Sequence, residues 1–448
     1  MRNFYTPILL GLIFFIVGIL TLPHYGINWD TINHLPRGQA YLHFFLTGKR
    51  DFSDLPRFFD GYQKKGQWYY QNPGSLSIDT DIPKNAFPRV SLYQKAGIDF
   101  NYLIENDGGH PPLSDILSSL FNVVLFQKLG LINDIDSYRV YGIVLAATLI
   151  GLLFFWVSKL YGKLAGFVTA LSLSIYPLFW AEAHFNTEKD IPETVYWSFL
   201  LFAAWNGITR RSWKWILASG VFFGLALGTK FNIVFIPFEI IPWILFVILH
   251  KKLFNINLNL LNKNKIFLGS VFIAPILGLL IFIPTWPYLW ADPVEGIGNV
   301  VGFYKGIGFT ENVDVRFFGP FGINTYPIQW IAYTTPLGIL FFALIGLVYG
   351  LYRYIKLRDL NVGFFFLWVT LPIARITWPG TTVYGGIRQI MEYVPALAIF
   401  SGLGAFALIQ IAKRFRISSV IVIFLILLAF LPTVFKLVSI HPNENVYF

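Results

Sequence analysis

The chemistry-bearing residues gather first just past an apolar stretch at the start of the chain. Asp30, His34, Arg37 and Tyr41 stand at i, i+4, i+7 and i+11, along one face of the amphipathic helix that residues 33–46 predict. Asp30 follows Leu22-Pro23 by a few residues, which puts it at a membrane surface rather than in bulk solvent. A carboxylate, an imidazole and a guanidinium gathered there can take a proton from a hydroxyl and hold an anion. The other reading of Asp30 is a helix cap that balances the dipole. The residues alone leave the two level.

Further polar clusters fall at corresponding depths. In Gly108-Gly109-His110-Pro111-Pro112-Leu113 the paired prolines set a rigid approach to a helix, and His110 either meets an anion or caps the turn. The hairpin from His184 to Pro192 packs Glu188, Lys189 and Asp190 close to hydrocarbon, costly unless they pair or face water. Asp190 before Pro192 also fits a plain helix start. The last cluster is cationic: Lys230, Arg375, and Arg388 beside Gly385-Gly386. Arginine presents forked donors matched to phosphate oxygens, and glycines let a ligand approach closely. For any one of these cations, snorkelling to headgroups is the other reading; several at one level beside carboxylates are harder to dismiss.

The elements that must position these residues are membrane helices. The chain has 448 residues, 55% of them hydrophobic and 13% charged, with a mean hydropathy of +0.59. That charged share is about half that of a globular domain. Eleven apolar spans are expected, near 5–22, 138–158, 164–181, 192–209, 213–229, 232–249, 266–284, 331–352, 362–378, 389–410 and 417–436. The first reads as a retained span, not a removed signal peptide. The segments 159–163, 210–214, 251–265, 353–359 and 413–416 hold 15 Lys+Arg and one acid, Asp359. Short basic loops between spans mark the cytoplasmic side, so the net charge of +10 expresses topology rather than nucleic-acid binding. The N-terminus is then cytoplasmic, and the polar clusters share the extracytoplasmic face.

Counting Leu113–Leu131 as a span would invert every later loop. It is therefore expected to lie on the outer face, with Ser114, Asp115, Ser118 and Lys128 towards water. The first extracytoplasmic loop, 23–137, and a second large one, 285–330, belong to the same single transmembrane domain as the rest of 1–448, with no separate soluble domain. Trp286-Pro287-Tyr288-Leu289-Trp290 opens the second loop, as an interfacial belt or a sugar-stacking surface. Without cysteine there is no thiol chemistry, and without GxGxxG or GxxxxGK[ST] no nucleotide-binding domain is indicated. Charges are nearly absent from span centres, Glu239 excepted, which favours an interfacial site over a transporter or lipid-flippase pathway. A non-catalytic envelope protein using 23–137 as a receptor surface is a further alternative.

Several segments resemble the GT-C glycosyltransferases: Asp30 after the first span, His-Pro-Pro-Leu at 110–113, Lys-Asp-Ile-Pro at 189–192 and Gly-Leu-Ala-Leu-Gly-Thr-Lys at 224–230. The branch is that of protein O-mannosyltransferases and the lipid A aminoarabinose transferase. Gly-Gly-Ile-Arg-Gln at 385–389, leading into Val394-Pro395-Ala396-Leu397, is similar to a late motif of bacterial and archaeal members. The resemblance covers about residues 1–410 and implies the all-α polytopic GT-C fold. It also implies a polyprenyl-phosphate-linked sugar donor, and inverting transfer to a glycan, lipid or protein hydroxyl outside the plasma membrane. Asp30 matches the catalytic base and Asp190 the acidic position of the next loop. His110 stands where related enzymes often have a lysine that helps hold the donor phosphate. Arg388 foremost, with Lys230 and Arg375, is matched to that phosphate; His34, Arg37 and Lys189 support. The oligosaccharyltransferase branch uses metal-binding acidic pairs, but Asp79-Thr80-Asp81 reads as a turn, so no cofactor is expected, a divalent metal being left open.

Overall fold

Apolar runs with few breakers fold as helices, and helices dominate the computed structural model. It describes residues 5–55, 82, 84–86, 88–94, 98–253, 265–309, 315–381 and 385–447. Asp79 and Asp81 lie outside them. In chain order the helices are α1 (Tyr5–Thr21), α2 (Thr31–Thr47), α3 (Phe100–Asn106), α4 (Leu113–Asn122), α5 (Asp134–Tyr161), α6 (Lys163–Ser174), α7 (Pro177–Phe185), α8 (Asp190–Arg210) and α9 (Trp213–Leu227). There follow α10 (Pro237–Leu253), α11 (Lys265–Thr285), α12 (Pro293–Phe309), α13 (Tyr326–Thr334), α14 (Leu337–Leu357), α15 (Leu360–Thr377), α16 (Val394–Arg414), α17 (Ser419–Leu428) and α18 (Leu431–Ile440). Among the described residues no strand forms.

Eight helical stretches are long and apolar enough to cross a bilayer. A ninth arises if α6 and α7, bent by 59°, count as one span. Pro177 makes that bend, since it has no N–H for the preceding turn. Pro336 likewise separates α13 from α14, so the span expected at 331–352 runs 337–357. The two remaining expected spans are α8, which carries Asp190 and Glu193 in its first turn, and the short α9.

The charged residues sort to opposite ends of the helices. Basic residues such as Lys159, Arg210, Lys356 and Lys413 stand in last turns at one end, while Asp30, Asp190, Lys230 and Arg388 lie at the other. Glu239 lies in the first turn of α10, near the middle of the apolar stretch Phe231–Leu249, as expected; it is buried, with Trp197 Nε1 donating to it at 3.3 Å.

The segment 113–131 departs from expectation. It forms α4 and a π-helical turn, Val123–Lys128, and Lys128 is exposed as expected. Ser114, Asp115 and Ser118, expected towards water, are fully buried. The reason is α2, which lies across α4 and brings Arg37 onto Asp115, while Ser114 Oγ meets Thr229 Oγ1 at 2.8 Å. The crossing depends on Gly38, because a Cβ there would overlap the carbonyl oxygen of Asp115.

Gly38→Ala should therefore force α2 off α4 and cost about 1–3 kcal/mol, as overpacking does. Gly298→Ala on the open face of α12, where a Cβ meets nothing within 4 Å, is the control. Thermal unfolding in detergent should show a lowered midpoint for Gly38→Ala only; equal midpoints would refute the close-approach argument.

Candidate functional site

Asp30 occupies the N-cap position of α2 but does not cap it. Asn28 does that work, its Oδ1 accepting from Thr31 N at 2.8 Å. The Asp30 carboxylate is spent instead on two cations: Lys189 Nζ at 3.1 Å and Arg388 Nη1 at 2.8 Å. Burial alone would raise its pKa, but Lys189 and Arg388 outweigh that and hold it below the ordinary carboxylate value. Asp30 is thus an ionised carboxylate, its side chain 16% exposed. Arg388 is delivered by Gly385-Gly386, whose φ values of 68° and 73° lie in the left-handed region that glycine tolerates. Tyr326 OH accepts from Gly386 N at 3.1 Å and fixes that turn.

Behind Asp30 the charges alternate. Arg388 lies 4.0 Å from Asp190, the first residue of α8, and Lys230 Nζ bonds Asp190 at 2.8 Å and Glu193 at 3.2 Å. Asn232 Nδ2 then donates to Glu392 at 3.0 Å, and Arg375 sits 3.6 Å from the same carboxylate. Asn186 Nδ2 spans Asp190 and Glu182, 2.6 Å from each. Groups from α7, α8, α15 and the segments before α10 and α16 meet in this ladder.

His34 and Arg37 form a separate knot. Arg37 binds Asp115 through Nε at 2.7 Å and again through Nη2, and reaches Asp107 at 3.0 Å and the His110 carbonyl at 2.7 Å. Tyr41 OH and Trp286 Nε1 also donate to Asp107, at 2.7 and 2.9 Å. Burial raises the pKa of Asp107, and pushes that of Asp115 up to about 7, with Arg37 opposing both. His34 Nδ1 lies 2.9 Å from Arg37 Nη2, and burial together with that guanidinium keeps its imidazole neutral. The four residues read as one face therefore divide: Asp30 turns to α16's approach, while His34, Arg37 and Tyr41 brace α2 against α4 and Asp107.

Exposure ranks the expected phosphate ligands Arg388, Arg375 and Lys230 and the supporting Lys189. Arg388 is 26% exposed, against 12% for Lys189, 11% for Arg375 and 10% for Lys230, so Arg388 is best placed to meet a ligand. Lys230 is consumed by Asp190 and Glu193, and Arg375 also donates to Gln389 O at 2.9 Å. Burial lowers the pKa of His110, and its Nδ1 pairs with Tyr304 OH at 2.7 Å. Sequence reasoning missed Glu182, Glu193, Glu392 and Asp107, and set Asp115 facing water. For the three glutamates the available signal was their placement inside apolar segments, where an acid must find a partner. Among the described residues no group of three or more His, Cys, Asp or Glu is arranged to hold a metal ion.

The family model for dolichyl-phosphate-mannose-protein mannosyltransferase matches residues 109–288. No curated protein matches in sequence. Among solved structures, ArnT from Cupriavidus metallidurans bound to undecaprenyl phosphate superposes with a TM-score of 0.52 at 15% identity, over 92% of this chain and 63% of that one. The Archaeoglobus fulgidus oligosaccharyltransferase in the apo form gives 0.52 at 14% identity, over 98% of this chain and 56% of its own. The same archaeal enzyme tethered to an acceptor peptide containing the NVT sequon gives 0.53 at 13%, over 98% and 55%. The chain thus spans less than two thirds of the length of these proteins, and it shares their GT-C fold.

The Arg37 knot yields a stability test. Arg37→Gln strands Asp107 and Asp115 without their cation and should cost about 3–5 kcal/mol, as breaking a buried pair does. Arg37→Lys should restore only part, because a point charge cannot serve both acids in fork geometry. A thermal midpoint unchanged by the glutamine variant would count against the pairing.

Proposed function

We propose that the chain is a membrane glycosyltransferase that moves a sugar from a polyprenyl-phosphate carrier to an acceptor hydroxyl. One observation carries the reading. An ionised Asp30 stands at the rim of the helix bundle, held between Lys189 and the partly exposed Arg388, which joins a base to an anion-binding cation in one contact. The fold supports it. So does what the similar proteins hold: undecaprenyl phosphate in ArnT, and dolichol-phosphate in the archaeal oligosaccharyltransferase AglB.

In the reaction, Asp30 takes the proton of the acceptor hydroxyl as its oxygen attacks the anomeric carbon. The bond from that carbon to the phosphate oxygen breaks, and the electron pair leaves with the polyprenyl phosphate. Arg388 is the group that stabilises the departing anion, with Lys189 beside it; attack opposite the leaving group inverts the anomeric centre. Asp190 holds the rear of Arg388 and, through Lys230, its distance from the buried acids. The positive-inside pattern supports placing this end outside the cytoplasm in a plasma membrane, the N-terminus within. Asp30 and Asp190 each already face protein cations, a donor set unsuited to a divalent metal, so the step is assigned to side chains alone.

The test follows release of free polyprenyl phosphate by purified protein over a panel of polyprenyl-phosphate sugars. Asp30→Asn should lower turnover by about a thousandfold or more while donor still binds, and chelator should change nothing. Failure of every donor to bind would move the reading to a transporter. A pH profile checks the base independently. Lys189→Gln removes one cation that depresses the Asp30 pKa, so the acid limb of kcat/KM should move to higher pH. A limb that stays in place would exclude Asp30 as the titrating base.

A further inference from the structure

The segment that carries Asp30 does not fix itself. From Tyr25 to Asn28 it has no helical structure, and Gly26 faces open space. Its hold comes from outside. Arg139 on α5 donates to the carbonyls of Tyr25, at 3.0 Å, and of Gly26, and Asn28 Nδ2 donates to Phe185 O at 2.5 Å. Ile27 packs against the cluster of Leu35, Tyr93, Ile135 and Tyr138, and a further anchor is the Tyr25 side chain, buried and stacked on His184 with ring centroids 4.3 Å apart.

The Tyr25 hydroxyl is the centre of that anchor. It accepts from Trp180 Nε1 at 2.8 Å and donates to Glu444 Oε2 at 2.8 Å. Glu444 is 2% exposed and belongs to a short 3-10 turn, Glu444–Val446, beyond α18. Its other oxygen lies 2.6 Å from His441 Nδ1, and His441 Nε2 lies 2.7 Å from His24 Nδ1. A stretch more than four hundred residues away in sequence therefore returns to close on both residues at the start of the Asp30 segment. A buried carboxylate is costly to place unless its partners repay it, and here those partners are Tyr25 and His441.

We propose that Glu444, acting through the Tyr25 hydroxyl, is a positioning residue that sets where Asp30 stands, with His441 and His24 locking the contact. The inference rests on the proposed role of Asp30 for its consequence in catalysis, but not for its structural content. Glu444 touches no reacting group; its effect is on the geometry of the segment five residues downstream of Tyr25.

Two variants separate the hydroxyl–carboxylate contact from simple loss of packing: Glu444→Gln, and Tyr25→Phe, which keeps the stack on His184. Backbone hydrogen exchange of the full-length protein in detergent should speed up by about tenfold or more across residues 25–30 in each, with α14 and α16 unchanged as the internal reference. Unchanged exchange at 25–30 overturns the proposal whether or not the protein is an enzyme. In turnover, each variant should lower kcat by about tenfold with donor KM within about threefold, and the double variant should be no worse than either single. Additive losses, or a loss confined to KM, would likewise overturn it. A wild type that turns over no donor would refute the reading of Asp30, while the exchange measurement still decides the clasp.

Discussion

An ionised side chain at the end of an apolar helix bundle persists only where another helix supplies the opposite charge. That constraint organises the Asp30 end of this protein. Asp30, Arg388 and Lys230 come from separate segments and meet Asp190 and Glu193 of α8, so that the charges neutralise one another in sequence. Each helix must therefore arrive at a set depth and rotation, and the ladder works as a register for the bundle as well as a candidate site. The Arg37 knot repeats the principle where α2 crosses α4, with Asp107 and Asp115 sharing one guanidinium.

Small residues let this register form. Where α14 meets α16, a Cβ on Gly346 or Gly404 would strike the carbonyl of Phe400 or Phe342 respectively. Without a hydrophobic drive between helices in lipid, such close backbone contact is a main source of association, with interhelical polar bonds adding to it. The polar ladder and the glycine contacts thus do complementary work, the one fixing depth and the other fixing distance.

Much of the fold was legible because its cause is local. Hydropathy placed the helices, and glycines before Arg388 marked the turn that presents it. What was not legible is pairing between distant segments. Asp115 looked like the polar face of a surface helix because nothing near it in sequence reveals that α2 will bring Arg37 onto it. The spacing of Asp30 and His34 put them on one face, yet Asp30 precedes the first full turn, and its side chain turns towards Lys189 and Arg388 instead. Prolines 177 and 336 were visible, but the size of the bend and the shift in span limits depend on what packs around them. The acids Glu182, Glu193 and Glu392 were passed over singly, although three carboxylates within apolar runs imply buried cations to receive them.

The shared guanidinium of Arg388 has a consequence for how a base and an anion communicate. Arg388 now lowers the basicity of Asp30 by standing against it. An anion that draws this guanidinium towards itself withdraws a counter-charge from the carboxylate, and the proton affinity of Asp30 rises by that act. Under the proposed role of Asp30, its proton-accepting power is then low without a bound anion and rises once one binds. On that reading the ion pair makes the base conditional: an interlock between occupancy and reactivity, set by one side chain that serves two anions in turn.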